Sequence, residues 1–259
     1  MKKRLWMTSL LSSKTDVEPL MKQIRTYGLT VDGHFWTNDL DNMAWLGPRE
    51  PLIDPRTGMW VILTDRASID TPEIRYGLSL LLLTVQARKG IHFPVVMLQT
   101  DDPLVEPTGL PTPLRGAEIL SATSAAFGPK LVAMLHKPET PLTIDYRMDV
   151  YAMKGIGQWL EMGPREGVWK GAMLGVSGGE IALHAVGQRD KLPEKTVLNY
   201  PQEGLQMTIG ETSYTAWAVK NELDGDHSYY VKVEGHPDSL VFGGYPETDD
   251  AEMFVIDLK

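Results

Sequence analysis

Thr57-Gly-Met-Trp-Val-Ile-Leu-Thr-Asp65, then Arg66-Ala-Ser-Ile-Asp-Thr-Pro-Glu-Ile-Arg-Tyr-Gly77 and the stretch from Leu78 to Lys89, reads as a buried strand, a short loop and a helix. Met59 to Leu63 is a continuous apolar run, the pattern of a parallel strand covered on both faces. Asp70 or Thr71 can act as N-cap, with Pro72 at the first helical position and Glu73 in the first turn. The helix runs through Leu78, Leu81, Leu82 and Val85 to a basic end at Arg88-Lys89, and Gly90 stops it. A carboxylate is thereby set at the carboxyl end of a strand, the edge at which open α/β sheets bind their ligands.

The flanking sequence alternates in the same way. Arg4 to Leu11, Leu29 to Trp36, Phe93 to Gln99 and Lys130 to His136 read as further strands. Thr15 to Tyr27 reads as a helix, with Val17, Leu20, Met21 and Ile24 at helical spacing and Gly28 at its end. A short helix is expected within Leu114 to Ala126. Five strands alternating with helices predict a parallel, flavodoxin-like α/β domain over residues 1–138. Pro138-Glu-Thr-Pro141 reads as the junction. Beyond it, in 142–259, short alternating segments predict seven strands: Val168 to Leu174, Glu180 to Val186, Leu205 to Ile209, Tyr214 to Val219, Tyr229 to Val233, Leu240 to Phe242 and Met253 to Leu258. Turns are expected at Ser177-Gly-Gly, Asp224-Gly-Asp, His236-Pro-Asp and Pro246-Glu-Thr-Asp-Asp. The fold class is therefore α/β plus all-β, the second domain being a β-sandwich. Tyr146 to Leu160 fits either a helix or a strand.

The 259 residues carry a net charge of -9, with 42% hydrophobic residues and a mean hydropathy of -0.18, a soluble globular composition. Acidic and basic residues balance over 1–140, so the whole excess lies in 141–259. An acidic second domain does not suit nucleic acid, which needs clustered Lys and Arg. The absence of cysteine excludes disulfides, thiolate metal sites and a Cys nucleophile, and is compatible with a cytoplasmic location. The start, Met1 to Leu11, has a short apolar stretch broken by Thr8 and Ser9 and is read as a first strand rather than a signal peptide. No apolar run is long enough for a membrane span.

Several chemistries lack their patterns. There is no phosphate-binding Gly-x-x-x-x-Gly-Lys-Ser/Thr, and no Gly-x-Gly-x-x-Gly after the first strand. Ser177-Gly-Gly is not a nucleophile elbow. The histidines at 34, 92, 136, 184, 227 and 236 form no metal-binding pair, and no metal site is expected. Asp224-Gly-Asp226 and Asp249-Asp250 fit no calcium loop and read as acidic turns. Leu46-Gly-Pro-Arg-Glu50 and Met162-Gly-Pro-Arg-Glu166 are near-identical, with no wider repeat around them. Tyr214, Trp217, Tyr229, Tyr230, Phe242, Tyr245 and Phe254 serve either as core or as an exposed aromatic face for carbohydrate or peptide.

The order of elements over residues 4–138 resembles the Toll/interleukin-1 receptor (TIR) domain in its bacterial form. Leu5-Trp-Met-Thr-Ser-Leu-Leu-Ser-Ser13 sits where that family has its opening strand and nucleotide-contacting loop. Gly28-Leu-Thr-Val-Asp-Gly-His-Phe-Trp36 resembles its second strand, and Asn38-Asp-Leu-Asp41 the start of the loop after it. Trp60 to Ser68 with Thr71-Pro-Glu73 resembles its third strand and the Ser, gap, Trp-Cys-x-x-Glu start of the next helix. The chain departs from the family in lacking a Phe-Ile-Ser-Tyr-like opening strand and in having Asp70-Thr-Pro72 where Trp-Cys would precede the Glu. In enzymatic members that Glu acts on NAD, so the resemblance implies Glu73 as the catalytic residue of an NAD glycohydrolase.

Breaking the nicotinamide–ribose bond builds positive charge on the ribose, and a facing carboxylate stabilises it, as in glycoside hydrolysis. Glu73 would do this, Trp36 or Trp45 would stack on a base, Thr8 and Ser9 would offer hydroxyls to ribose or phosphate, and Arg49 a charge to the pyrophosphate. NAD is then a substrate and no cofactor is needed. Each residue also has a plain structural use: Glu73 complements the helix dipole, the tryptophans pack, Arg49 forms a surface ion pair, and Thr8 and Ser9 end a strand. Two other functions fit the same residues: a non-enzymatic signalling module whose sandwich docks a protein partner or a second copy, and transfer of a nucleoside sugar with Glu73 as nucleophile.

Overall fold

The computed structural model describes residues 4–137, 144–246 and 252–259. The chain divides into two compact units, Met1–Leu142 and Thr143–Lys259. The Pro138–Pro141 junction and the Asp249-Asp250 pair lie outside the described residues. No helix among the described residues is long and apolar enough to cross a membrane.

Unit 1 begins with β1 (Arg4–Ser9), α1 (Lys14–Thr26) and β2 (Thr30–Phe35). Gly28, at φ 78°, takes the left-handed turn that ends α1. After a single turn at Ala44–Leu46 come α2 (Arg49–Ile53), β3 (Thr57–Thr64), α3 (Arg66–Ile69), α4 (Pro72–Lys89), β4 (Val95–Gln99), β5 (Glu118–Ser121) and α5 (Phe127–Leu135). The five strands form one parallel sheet in the order β2-β1-β3-β4-β5.

Strand alternation divides the sheet into two cores. Leu5, Met7, Val31, Val61, Leu63, Val96 and Leu98 pack with Val17 and Ile24 of α1 and with Phe127, Leu131 and Leu135 of α5. The other face carries Trp6, Thr8, His34, Trp60, Ile62 and Met97, and α4 covers it. Buried positions run almost without a break from Tyr76 to Val85, so α4 is apolar all round. Such a helix must be enclosed. The sheet takes one side, while α2 and the turns at Ala44–Leu46 and Thr112–Gly116 pack on the rest.

Three elements differ from the sequence reading. Lys130 to His136, expected as the fifth strand, is the second half of α5, and the fifth strand is instead β5, within the expected short helix. Phe127, Leu131 and Leu135 recur at four-residue spacing and bury one stripe, so helical period prevails over the apolar run. The stretch from Arg66 to Thr71, expected as loop, contains α3. Asp65 caps it by accepting from the Ser68 amide at 2.8 Å, and Asp101 accepts from the Arg66 amide at 3.0 and 3.1 Å.

Unit 2 is all-β: β6 (Tyr146–Met153), β7 (Gly157–Pro164), β8 (Ala172–Gln188), β9 (Gln202–Ile209), β10 (Thr212–Val219), β11 (His227–Gly244) and β12 (Met253–Asp257). They form one antiparallel sheet, β6-β7-β11-β8-β10-β9, with β12 beside β11. The expected two-sheet sandwich is therefore a single hydrogen-bonded sheet. Ser177-Gly-Gly and His236-Pro-Asp, expected as turns, are bends within β8 and β11, and the four strands expected around them are two. Gly178 at φ 74° and Gly235 at φ 75° allow the bends, and the β11–β8 register shifts between Gly235 and Ser239. His184 of β8 packs edge-on against Trp217 of β10, at 4.9 Å between centroids, although Trp217 pairs with Leu174. Ten residues of straight strand span about 33 Å, so β8 must curl to bring them together. Tyr146 to Leu160, left open from the sequence, is the β6–β7 hairpin.

Two outcomes are expected of unit 1. A Cβ added at Gly77 of α4 would meet Trp36 Cζ2 at 2.8 Å and Trp45 Cβ at 3.2 Å. Gly77→Leu should destabilise the unit by about 1–3 kcal/mol, read by urea unfolding, with a red shift in tryptophan emission as Trp36 is displaced. Burial pushes the His34 imidazole down to a pKa of about 4. Below about pH 6.5 the unfolded chain gains a proton that the native His34 refuses. Stability should fall between there and pH 4, by on the order of 2 kcal/mol at this position. His34→Gln should flatten that part of the pH–stability curve; superimposable curves for the two proteins would contradict the assignment.

Candidate functional site

The carboxyl edge of the parallel sheet is built by the segments that leave β1, β2, β3 and β4. The amide of Leu10 donates to Leu63 O at 2.8 Å and that of Trp36 to Ser9 O at 2.8 Å, so pairing persists past the ends of β1 and β2. Gln99, fully buried at the end of β4, donates to Asp101 O and Pro103 O and accepts from the Val105 amide, which fixes the loop after it.

Glu73 stands in the first turn of α4, exposed, and makes no hydrogen bond or ion pair among the described residues. The cations that would most readily neutralise it are engaged elsewhere. Arg66 Nε donates to Asp70 at 2.7 Å, and Arg75 donates to Asp70 at 2.6 Å and to Ile69 O at 2.6 Å. These two guanidinium groups, Arg66 foremost, hold the Asp70 carboxyl below the usual carboxylate range. The Glu73 side chain thus faces solvent unpaired.

Gly77 lies one turn after Glu73 on the same face of α4. With no side chain there, the Trp36 ring comes against the helix, and Trp45 packs beside it. The structure therefore brings Trp36, Trp45 and Glu73 to one helical face. Trp45 is 1% exposed and belongs to the core, whereas Trp36 is half-buried. Thr8 and Ser9 are both buried: Thr8 Oγ1 accepts from Trp60 Nε1 at 2.8 Å and Ser9 Oγ donates to Leu11 O at 2.8 Å. Arg49 opens α2 and pairs with Glu50 at 2.5 Å. Thr8 and Ser9 are committed to hydrogen bonds within the unit, and Arg49 to an exposed pair with its neighbour.

His34 went unremarked in the sequence beyond its lack of a paired histidine. It lies on the same face of β2 as Trp36, two residues earlier. Its Nδ1 accepts from Trp6 Nε1 at 3.2 Å, and the two rings stack at 5.9 Å. Only the strand register could have placed it beside the site, since alternation puts 34 and 36 on one face.

Unit 2 holds a carboxylate cluster that the sequence did not disclose. Asp149 and Glu161 face each other across β6 and β7, both buried, and with Asp190 their oxygens lie within 4.8 Å of one another. Glu161 accepts from Tyr151 Oη at 2.6 Å and from the Asp190 amide at 2.9 Å. Burial, and then Glu161, push the Tyr151 hydroxyl well above its ordinary value. Three such oxygens suit a hard cation in ligand type. The cluster is dispersed over forty residues of sequence and appears only once the β6–β7 hairpin is known. Asp224, expected in an acidic turn, accepts from the amides of Asp226 and His227 and from His227 Nδ1. Of the candidate aromatics, Tyr214, Tyr229, Tyr230 and Phe242 are core, and Trp217, Tyr245 and Phe254 are half-buried. No family model matches the chain, and no curated protein matches it.

Proposed function

We propose that unit 1 is a TIR-like, flavodoxin-like domain that binds NAD or a related nucleotide at the carboxyl edge of its sheet and hydrolyses it. The strand order β2-β1-β3-β4-β5 is that of flavodoxin-like folds, whose ligands lie where the order reverses, between β1 and β3. One observation carries the reading. Glu73 keeps an unpaired, exposed carboxylate one helical turn from an indole, while Asp70 occupies both neighbouring arginines.

In the reaction the bond between the ribose C1′ and the nicotinamide nitrogen breaks, and its electron pair leaves with neutral nicotinamide. The ribosyl centre becomes oxocarbenium-like, and the Glu73 carboxylate stabilises it. Water adds to C1′ and gives its proton to solvent. Trp36 supplies the aromatic surface against which a base rests.

A second reading has its own support. Thr8, Ser9 and Arg49, the groups suited to phosphate, are all engaged inside the unit. Without them the edge serves a protein partner as readily as a dinucleotide, and unit 1 would be a non-enzymatic interaction module.

Nicotinamide release from NAD by the full chain separates the two. Glu73→Ala should lower the rate by on the order of a hundredfold. Because Glu73 is exposed, the change should cost less than about 1 kcal/mol of stability. Absence of release from the unaltered protein at high concentration would favour the interaction module.

A further inference from the structure

We propose that the ring N–H groups of His34 and Trp36 recognise an uncharged, planar nitrogen heterocycle through its carbonyl or ring-nitrogen acceptors. This rests on the reading of the carboxyl edge as a nucleotide site and assigns its specificity.

His34 Nε2 and Trp36 Nε1 are both closed to solvent, and neither has a hydrogen-bond partner among the described residues. Both must be donors. The indole nitrogen can only donate, and the imidazole Nδ1 accepts from Trp6, so its proton resides on Nε2. A buried donor left unpaired costs about 1–3 kcal/mol, and native structures satisfy nearly all such groups. The residues that carry them lie two apart at the end of β2, about 7 Å along the extended backbone, and two such groups call for an enclosed partner rich in acceptors.

Charge decides which acceptors. The imidazole is held neutral by its burial, and the indole has no charge to give. Glu73 stands one turn from Gly77, against which the Trp36 ring rests, and its carboxylate repels anions. Phosphate and carboxylate are thus disfavoured, and neutral carbonyl oxygens or unprotonated ring nitrogens remain. A heterocycle presents these on one rigid edge, and the half-buried Trp36 ring offers it an aromatic neighbour.

The test uses the full chain with its tryptophan indoles labelled with nitrogen-15, titrated with adenosine, uridine, NAD and inorganic phosphate. Trp36→Phe assigns the Trp36 N–H signal by its loss. A nucleoside or NAD should move that signal downfield, and Trp36→Phe and His34→Phe should each weaken binding about three- to tenfold, with phosphate inert. Should His34→Phe fail to fold, the Trp36 signal and the Trp36→Phe affinity decide alone. NAD binding with an unmoved indole signal and unchanged Trp36→Phe affinity would overturn the inference and leave the nucleotide site standing, the N–H groups then being met by enclosed water. Phosphate binding as tight as that of a nucleoside would overturn the uncharged acceptor. No binding by adenosine, uridine or NAD would overturn both.

Discussion

Unit 1 depends on one requirement: α4 has no side to give to water. From Tyr76 to Val85 its surface is buried almost without interruption. The sheet can cover only one flank of such a helix. The other flank recruits α2 and the turns at Ala44–Leu46 and Thr112–Gly116, which have little structure of their own to lend. The long connections between β2 and β3 and between β4 and β5 are thus ordered by the helix rather than by their own propensities. Gly77 is the point of closest approach. Its missing side chain admits Trp36 and Trp45 together, and the same gap sets an aromatic ring beside the first turn, where Glu73 stands. Packing and the candidate site share one cause.

The polar groups on that face are arranged with unusual economy of charge. Asp70 absorbs two arginines, Asp65 and Asp101 are spent capping α3, and Glu73 alone among these carboxylates faces solvent unpaired. Trp6 and Trp60 direct their N–H groups to His34 and Thr8, so the interior of the sheet face is satisfied up to the end of β2. Satisfaction stops at His34 Nε2 and Trp36 Nε1. The boundary between a finished core and an unfinished one coincides with the edge at which open parallel sheets bind ligands.

What the sequence disclosed follows from the range of the forces involved. The run Met59 to Leu63, the Pro72–Glu73 helix start and the Gly28 stop are local signals, and the structure has β3, α4 and the end of α1 there. Lys130 to His136 is helical where a strand is expected because a short apolar run satisfies strand and helix patterns alike, and only its partner stripe at Phe127 and α1 distinguishes them. In unit 2 the glycines at 178 and 235 signal departures from extended backbone, but a bend and a reversal share that signal. The place of Glu73 in the first turn of α4 was legible because helix starts are local. The approach of Trp36 to Gly77 joins residues forty apart in sequence, and the unpaired state of His34 Nε2 depends on β1 and β2 together, so neither could be read beforehand.

The bent strands give unit 2 a property of its own. β8 and β11 each run through both halves of the sheet, so each half borrows its central pair from the same two strands. β6 and β7 attach to one end of this pair, and β9, β10 and β12 to the other. Neither half can lose its ladder without loosening the strands that hold the other. The two halves are coupled through shared backbone as well as through side chains, Tyr146 against Phe242 and His184 against Trp217, and a sheet of this kind unravels as one body.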